Sequence, residues 1–175
     1  MEYIVLLRKV NVGKDNRMEK KELENAITKL GYDKVQVYIN SGNIIINTKK
    51  VKTEISEEID KALVNLFGSN IQFIIKTKKE MKDIRKAIPD EWQNDNTQKT
   101  DIAYLFPEID KPTIINELPV KKEYINVIYI KGALIMNVSR ENQFKSQYSK
   151  IIGSTIYKHM TIRNVNTTRY LADSD

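Results

Sequence analysis

Three short polar motifs interrupt a chain that is otherwise aliphatic and rich in lysine. They span residues 8–14, 38–43 and 161–167. Their side chains offer amides, hydroxyls and guanidinium groups, which hold ligands by hydrogen bonds and charge. None of the three contains a histidine, a cysteine or a carboxylate, and these are the groups that most often transfer protons in active sites. The motifs therefore favour a binding site over a catalytic one.

The expected ligand is a small anionic molecule, either a phosphate or a carboxylate compound. Arg8 stands at the end of an apolar strand, where a guanidinium group is costly to bury unless it is paired or meets an anion. The sequence identifies no cofactor, and it offers no metal site, because its one histidine, His159, has no partner at metal-ligand spacing. The candidate ligand-binding residues are Arg8, Asn11, Gly13, Lys14, Tyr38, Asn40, Ser41, Gly42, Asn43, Arg163, Asn164, Asn166 and Thr167.

Each motif also has a structural interpretation. Asn and Gly adopt turn conformations readily, so residues 11–17 could form a strand-to-helix loop and residues 40–43 a hairpin turn. Residues 161–167 could form a helix cap, with Thr161 or Asn164 as the capping residue. Polar motifs of this kind also fasten domain interfaces by satisfying buried backbone groups. The sequence leaves open whether the motifs bind a ligand or hold two halves of the chain together.

A second hypothesis is a hydrolase or transferase that acts on a phosphorylated or acyl substrate. Ser41, Ser149 or Thr161 would then be the nucleophile, and the arginines would hold the substrate. Such a nucleophile needs a base within hydrogen-bond reach, and the sequence identifies none. A carboxylate or His159 beside one of these hydroxyls would favour this hypothesis.

A third hypothesis is an RNA- or DNA-binding module. The formal net charge is +6, and clustered cations attract phosphates. Most of the basic residues are lysines, however, and isoleucine and asparagine are also abundant, which is the composition that an AT-rich coding sequence produces. We therefore favour a small anion over nucleic acid as the partner, and the sequence leaves self-association open.

Length and composition indicate a folded, soluble protein. The chain has 175 residues, of which 41% are apolar, enough for one domain or two small ones. It has no cysteine, which excludes a disulfide framework and agrees with a reducing compartment. No apolar run approaches the roughly 18 residues of a membrane span. We expect a cytoplasmic protein that does not enter a membrane.

Hydrophobic periodicity predicts the order βαββαβ, followed by a further helix, within residues 1–90. The predicted strands are at 3–10, 35–40, 44–46 and 71–75, and the predicted helices are at 23–30, 55–67 and 81–88. Gly31 stands where a glycine commonly ends a helix. With right-handed crossovers, this order gives a ferredoxin-like antiparallel sheet with strand order 4-1-3-2 and two helices on one face.

The predicted topology brings two of the three motifs together. The first two strands run in the same direction, so residues 11–14 and 40–43 leave the sheet at the same edge. The arrival of the third motif at this edge is an additional assumption. The strands at 3–10 and 44–46 also present apolar side chains to both faces, as covered strands do. We expect the second half of the chain or a partner subunit to cover the face without helices.

A polar, turn-rich segment at 91–99 predicts a linker to a second, smaller α+β subdomain at 100–175. Its predicted order is βαββα, packed on the first half and followed by a C-terminal helix. The predicted strands are at 102–106, 124–130 and 133–138, and the predicted helices are at 113–118, at 142–152 and within 161–172. This order of elements echoes the first half.

The three motifs also carry a family resemblance. YIVLLRKVNVGK, YINSGN and TIRNVNT resemble the patterns LLRGINVGG, YIQSGN and TxRNWNT of a widespread bacterial family classed as a domain of unknown function. The matches keep their order and span nearly the whole chain. The resemblance implies a compact bacterial α+β protein without an assigned activity, with signature residues Arg8, Asn11, Gly13, Ser41, Gly42, Asn43, Arg163, Asn164, Asn166 and Thr167.

The chain departs from the family patterns at several positions. Lys9 and Lys14 replace glycines, which weakens the case for a tight phosphate cradle. Asn40 replaces a glutamine. Val165 replaces a tryptophan, so the chain lacks a ring there on which a base could stack.

Overall fold

The chain consists of two compact units, Met1–Met81 and Lys82–Asp175. The computed structural model describes residues 1–11, 17–39 and 41–174. Each unit contains a four-stranded antiparallel sheet, so the α+β class predicted from the sequence is confirmed. The predicted division into residues 1–90, a linker at 91–99 and residues 100–175 stays a prediction.

The first unit has the predicted order βαββαβ and the predicted strand order, β2-β3-β1-β4. Helix α3 follows the last strand directly. The strands are β1 (Glu2–Leu7), β2 (Lys34–Tyr38), β3 (Asn43–Asn47) and β4 (Phe73–Thr77), and the helices are α1 (Lys20–Thr28), α2 (Lys52–Phe67) and α3 (Lys78–Lys86). α3 begins in the first unit, and its residues after Met81 belong to the second.

Short-range signals fix the ends of these helices. α2 ends at Gly68, whose φ of 69° is left-handed and is easily reached by glycine. Thr77 and Glu80 form a capping box at the start of α3: the Glu80 amide donates to Thr77 Oγ1 (3.1 Å), and the Thr77 amide donates to Glu80 Oε2 (2.6 Å). Because this box supplies the first turn, α3 begins at Lys78, three residues before the predicted start at 81.

The core of the first unit lies between the sheet and helices α1 and α2. Val5 pairs with Ile44 on one side and with Ile75 on the other. Each helix contributes an apolar stripe to the same cluster: Leu23 and Ile27 from α1, and Ile55, Ile59 and Leu63 from α2. Burial of each such side chain stabilises the fold by about 1.5–3 kcal/mol, so the sheet is a rigid support for the loops at its edges.

The other face of this sheet is also buried, as the apolar strands predicted. Ile4 and Leu6 have no exposed surface, and Ile45 is 1% exposed. These aliphatic side chains do not form the aromatic surface on which ferredoxin-like RNA-binding domains stack bases. That the second half of the chain or a partner subunit covers this face stays a prediction.

The second unit contains four strands and two α-helices, joined by several 3₁₀ turns. None of the helices in the described parts of the chain has both the length and the apolar composition needed to cross a membrane. The strands are β5 (Gln98–Leu105), β6 (Asn126–Ile130), β7 (Ala133–Ser139) and β8 (Met160–Asn164), and the helices are α4 (Lys150–Gly153) and α5 (Val165–Asp173).

The second unit differs from its prediction in two places. Residues 160–164 form β8, a strand that the sequence analysis did not predict. The predicted closing helix, α5, begins after this strand, at Val165. The helix predicted at 142–152 is replaced by successive turns and the short α4. Gln147 in these turns has a left-handed φ of 58°, which interrupts a helix. Ser146 Oγ also donates to the Gln143 carbonyl (2.8 Å), a local bond that competes with helical hydrogen bonding.

The two units repeat the same sheet topology. The order β6-β7-β5-β8 corresponds position by position to β2-β3-β1-β4. At equivalent edges, the Leu7 amide donates to the Gly42 carbonyl (2.9 Å) and the Leu105 amide donates to the Gly132 carbonyl (3.1 Å). Both glycines have positive φ, 71° and 84°. The echo between the halves is therefore a repeat of the entire sheet, including the strand β8 that the sequence analysis missed.

Candidate functional site

The two N-terminal motifs meet at one edge of the first sheet, as the topology predicted. The amide of Leu7, the last residue of β1, donates to the carbonyl of Gly42 in the β2–β3 turn (2.9 Å). The next amide, that of Arg8, donates to the Gln72 carbonyl just before β4 (2.8 Å). Arg8 Nη1 also donates to Gln72 Oε1 (3.3 Å). The loop after β1, the hairpin turn and the start of β4 therefore converge at this edge.

Asn11 holds the two ends of the loop after β1 together. Its Nδ2 donates to the Met18 carbonyl (3.0 Å), and its Oδ1 accepts from the Met18 amide (2.7 Å). The side-chain amide thus imitates a backbone strand partner. This arrangement gives Asn11 a structural role in shaping the loop. Gly13 and Lys14, predicted ligand-binding residues within the loop, lie outside the described residues.

The backbone at this edge is unusual. Lys9, Asn11 and Ile39 have φ values of 56°, 54° and 51°, in the left-handed region that glycine and asparagine tolerate best. For a β-branched residue such as Ile39 this conformation is a true outlier. Strained backbone of this kind clusters at ligand-binding and active sites.

Ser41, Gly42 and Asn43 form a compact turn. Asn43 is fully buried, and its Nδ2 donates to the Tyr38 carbonyl and to Ser41 Oγ (3.0 Å each). Gly42 is required for two reasons: its φ is 71°, and a Cβ at this position would lie 2.9 Å from Leu7 Cβ. This motif therefore locks the turn against β1. Asn40 lies outside the described residues.

A cleft opens beside Asn11, at the start of α1. Arg17, Lys20 and Lys21 line it together with Glu19 and Glu22. The Glu22 carboxylate accepts from the Glu19 amide (3.3 Å) and so caps α1. The side chains that surround this cleft are mostly charged, with basic groups in the majority.

The third motif lies on β8 and α5 in the second unit. Arg163 is 7% exposed, and its Nη1 donates to Thr161 Oγ1 and to the Ile162 carbonyl (2.9 Å each). Burial lowers the pKa of Arg163 to about 10, although the nearby Tyr104 and Tyr157 favour its charged form. Arg163 is still a cation at neutral pH, held among hydroxyl and carbonyl acceptors.

Asn164 is the N-cap of α5, which confirms one of the two predicted capping residues. Its Oδ1 accepts from the Thr167 amide (2.9 Å). Thr161 lies within β8 and does not cap the helix. Asn164 and Asn166 are exposed, whereas Thr167 is buried. Ligand binding by this motif stays a prediction.

Two of the three candidate nucleophiles have known partners that are not bases. Ser41 Oγ accepts from the Asn43 amide (3.0 Å), and Thr161 Oγ1 accepts from the Arg163 guanidinium (2.9 Å). Ser149 and His159 are exposed. Among the described residues, no group of three or more His, Cys, Asp or Glu side chains could hold a metal ion. These contacts give the hydrolase or transferase hypothesis no specific support.

A pocket that the sequence analysis missed lies in the second unit. It is lined by Lys121, Tyr124, Phe144, Lys145, Gln147, Ser149 and Lys150. The sequence analysis missed this pocket because it predicted a helix at 142–152. In such a helix, Phe144, Tyr148 and Ile151 would share one apolar stripe, and Phe144 would be expected in the core. Tyr148 and Ile151 are indeed buried, but Phe144 is 95% exposed. An aromatic residue among lysines and glutamines was the one signal in the sequence.

Comparison with known proteins identifies the family. A family model described as "Protein of unknown function (DUF1697)" matches residues 1–135. The chain belongs to this family. The match includes the first two motifs and confirms the resemblance that the motifs indicated, whereas the third motif lies beyond it. No curated protein matches the chain.

A solved structure is similar to this DUF1697 protein over nearly its whole length. It is that of the conserved bacterial protein SP0830 from Streptococcus pneumoniae, with a TM-score of 0.84 and 25% sequence identity. The alignment covers 98% of this chain and 96% of that chain. The shared fold therefore extends beyond residue 135 to include β8 and α5.

Two departures from the patterns that the motifs resemble have structural explanations. Lys9 stands where the pattern has glycine, and its φ of 56° is the conformation for which glycine is preferred. Val165 stands where the pattern has tryptophan, and it has no exposed surface. In this fold, a ring at position 165 would be buried rather than open to a stacked base.

Proposed function

We propose that this DUF1697 protein binds a small anionic molecule, a phosphate or carboxylate compound, at the edge of its first sheet. The observation that carries the proposal is the concentration of cations where the two N-terminal motifs meet. Arg8 and Lys9 follow β1 directly. Arg17, Lys20 and Lys21 line the cleft beside Asn11. Cations arranged around a cleft attract an anionic ligand and raise its association rate.

The equivalent edge of the second unit supports the proposal by contrast. The loop after β5 contains the carboxylates Glu108 and Asp110. Asp110 Oδ1 accepts from the Gly132 amide (2.8 Å) and from the Tyr129 hydroxyl (2.9 Å). This turn contains Lys131 but is held by the Asp110 carboxylate, whereas the equivalent turn in the first unit adjoins Arg8 and Lys9. A charge difference between equivalent edges favours a function that belongs to the first edge.

The carboxylates in the cleft narrow the class of ligand. Glu22 is engaged as the cap of α1, which leaves Glu19 as a hydrogen-bond acceptor in the lining. A carboxylate among cations favours a ligand that combines an anionic group with hydroxyl donors. Sugar phosphates and hydroxy acids have this combination.

The motif residues divide into scaffold and binding groups under this proposal. Asn11, Gly42 and Asn43 shape the loop and turn through the contacts described above. Arg8 and Arg17 supply charge-assisted hydrogen bonds, the strong kind for anion recognition. Arg163, Asn164, Asn166 and Thr167 stay candidate ligand-binding residues, and their contribution is tested separately.

Calorimetric titration tests the proposal. Inorganic phosphate, glucose 6-phosphate and citrate are each titrated into the parent protein and into Arg17→Gln at low salt. We expect at least one of them to bind, and the substitution to weaken its binding by about tenfold, because a hydrogen bond to a charged group is lost. The same ligand should raise the Tm of the parent protein more than that of the variant.

Lys158→Gln is the matched control, because it makes the same change in net charge at an exposed residue of the second unit. It should leave the affinity unchanged. The proposal is wrong if none of the three probes binds, or if Lys158→Gln and Arg17→Gln weaken binding equally, since the effect would then reflect net charge alone.

A further inference from the structure

The pocket that contains Phe144 combines features that the proposed function does not use. Its volume is about 390 Å³, within the range of small-molecule sites. Three lysines, Lys121, Lys145 and Lys150, contribute to its lining, and no carboxylate does. None of these lysines forms an ion pair with any residue that the structure describes. The pocket therefore carries positive charge that is not neutralised within the described part of the chain.

Two aromatic rings complete the lining. Tyr124 is partly buried, whereas Phe144 is 95% exposed. Removal of a phenyl ring from water is normally favourable by about 1.5–3 kcal/mol, so a ring held fully in solvent leaves that free energy available to a ligand. An exposed ring beside lysines provides a stacking surface close to anion-binding groups.

The turns on both sides of Phe144 are held rigidly. The Ser146 amide donates to the Asn142 carbonyl (2.8 Å), and the Lys121 amide donates to the Ser146 carbonyl (2.9 Å). Ser146 has no exposed surface. Tyr148, two residues further on, is buried and donates its hydroxyl to Asp101. The backbone that carries Phe144 is thus fixed before any ligand arrives, which lowers the entropy lost on binding.

We propose that this pocket binds a nucleotide, with the base stacked on Phe144 and the phosphate groups bound by Lys121, Lys145 and Lys150. Every base has a π-face that stacks on an aromatic ring, and lysine is a common phosphate ligand. The nucleotide is either free or one unit of a single-stranded nucleic acid. A purely apolar partner would leave the three ammonium groups without a counter-charge.

Titration of ATP into the full chain tests this inference, with adenosine, inorganic phosphate and an eight-residue oligodeoxyadenylate as further probes. We expect ATP to bind more tightly than adenosine or phosphate, because it engages both the ring and the lysines. Phe144→Leu should weaken ATP binding at least about fivefold, the lower limit for loss of one stacking contact, and Phe144→Tyr should retain it. Phe144 packs against little, so these variants should fold normally.

Lys145→Gln should weaken ATP binding severalfold and leave adenosine binding unchanged, whereas Lys158→Gln should have no effect on either. A tighter complex with the oligonucleotide than with ATP would identify nucleic acid as the source of the nucleotide, and the reverse would identify free nucleotides. Binding of phosphate or citrate at the first-sheet edge should be unaffected by Phe144→Leu, so that failure of one site is distinguishable from failure of the other.

Three results would overturn the inference. One is the absence of ATP and oligonucleotide binding. Another is ATP binding that Arg17→Gln abolishes and Phe144→Leu leaves intact, because the ligand would then lie at the first-sheet edge. The third is adsorption of the protein to anionic lipid vesicles that ATP does not displace and that the Phe144→Leu variant retains. Leucine inserts into a lipid surface but does not stack on a base, so this result would explain the exposed ring by membrane insertion.

Discussion

At the level of single residues, the backbone conformation explains much of the polar N-terminal motif. Asn11 tolerates its left-handed φ of 54° and uses both ends of its amide to hold Met18. Gly42 allows the turn to approach Leu7 at a distance that no Cβ would permit. Lysine is less suited to this conformation than asparagine or glycine. At Lys9, the Cβ atom crowds the backbone in the left-handed region.

Lys9→Gly should therefore raise the free energy of unfolding by about 0.5–1 kcal/mol, after allowance for the greater flexibility of glycine in the unfolded chain. Chemical denaturation would measure it. Lys61→Gly, the same substitution at an exposed position inside α2, should lower the free energy of unfolding by about 1 kcal/mol. A decrease for both variants would mean that the contacts of the Lys9 side chain outweigh the backbone strain.

At the level of the helices and strands, the third motif combines a strand end with a helix start. β8 ends at Asn164, and α5 begins at the following residue, so the cap must be supplied by a short polar side chain. α5 in turn fixes the second unit: Thr168 shares a hydrogen bond with the buried hydroxyl of Tyr104 (2.9 Å), and Arg169 donates to Gln93 Oε1 (2.8 Å). The Asn164 cap thus stabilises a helix that also contacts Tyr104 and Gln93 elsewhere in the second unit.

Asn164→Ala should lower the free energy of unfolding by about 1 kcal/mol, because the Thr167 amide loses its acceptor. Asn164→Asp should preserve stability, since aspartate caps equally well and interacts favourably with the helix dipole. If a bound anion contacts residue 164, the same Asp variant places a negative charge beside that anion. If it weakens phosphate or citrate binding as measured by calorimetry, Asn164 contributes to binding; unchanged affinity would restrict it to the cap.

At the level of the whole molecule, the chain is a repeat of one sheet topology whose copies differ in their charges. The first edge is basic, and the second is held by Asp110. α3 begins directly after β4, and α5 begins directly after the equivalent strand, β8. They are capped by a Thr77–Glu80 box and by Asn164, respectively. Equivalent positions have thus kept their structural role with different chemistry.

The carboxylate of Glu80 should make this fold sensitive to acid. Burial raises the pKa of Glu80, but the hydrogen bonds from Lys52 and Thr77 together lower it by a larger amount. The pKa therefore lies below its usual value. The folded state then binds the proton less tightly than the unfolded state. The resulting stabilisation is complete above the normal glutamate pKa of about 4.3 and is lost as pH falls through the lowered pKa.

Glu80→Gln should therefore reduce the loss of stability between about pH 5 and pH 3, while its side-chain oxygen still caps α3. At neutral pH the variant should be less stable by under about 1 kcal/mol, because the side chains of Lys52 and Glu80 are 41% and 42% exposed and solvent screens their attraction. Urea denaturation at a series of pH values measures both effects. An unchanged slope below pH 5 would show that other carboxylates control acid unfolding.

The elements of the first unit followed from local patterns, because strand and helix periodicity there agrees with burial in the tertiary structure. Val35 and Val37 alternate with polar residues, Gly68 ends α2, and the chain order alone required the loop after β1 and the β2–β3 turn to share an edge. The family also followed from the motifs. Such features depend on residues close in sequence and on the handedness of connections, which a single sequence reveals.

Contacts between distant residues decided the rest. Residues 160–164 became a strand because β5 offered an unpaired side, on which Arg163 pairs with Ile102. The apparent helix at 142–152 became turns because Lys121 holds Ser146 from outside the segment. Asn11 and Asn43 are scaffold residues because their acceptors and donors lie at Met18 and Tyr38. Backbone groups satisfied at long range override local propensity, and only the folded chain shows which partners they find.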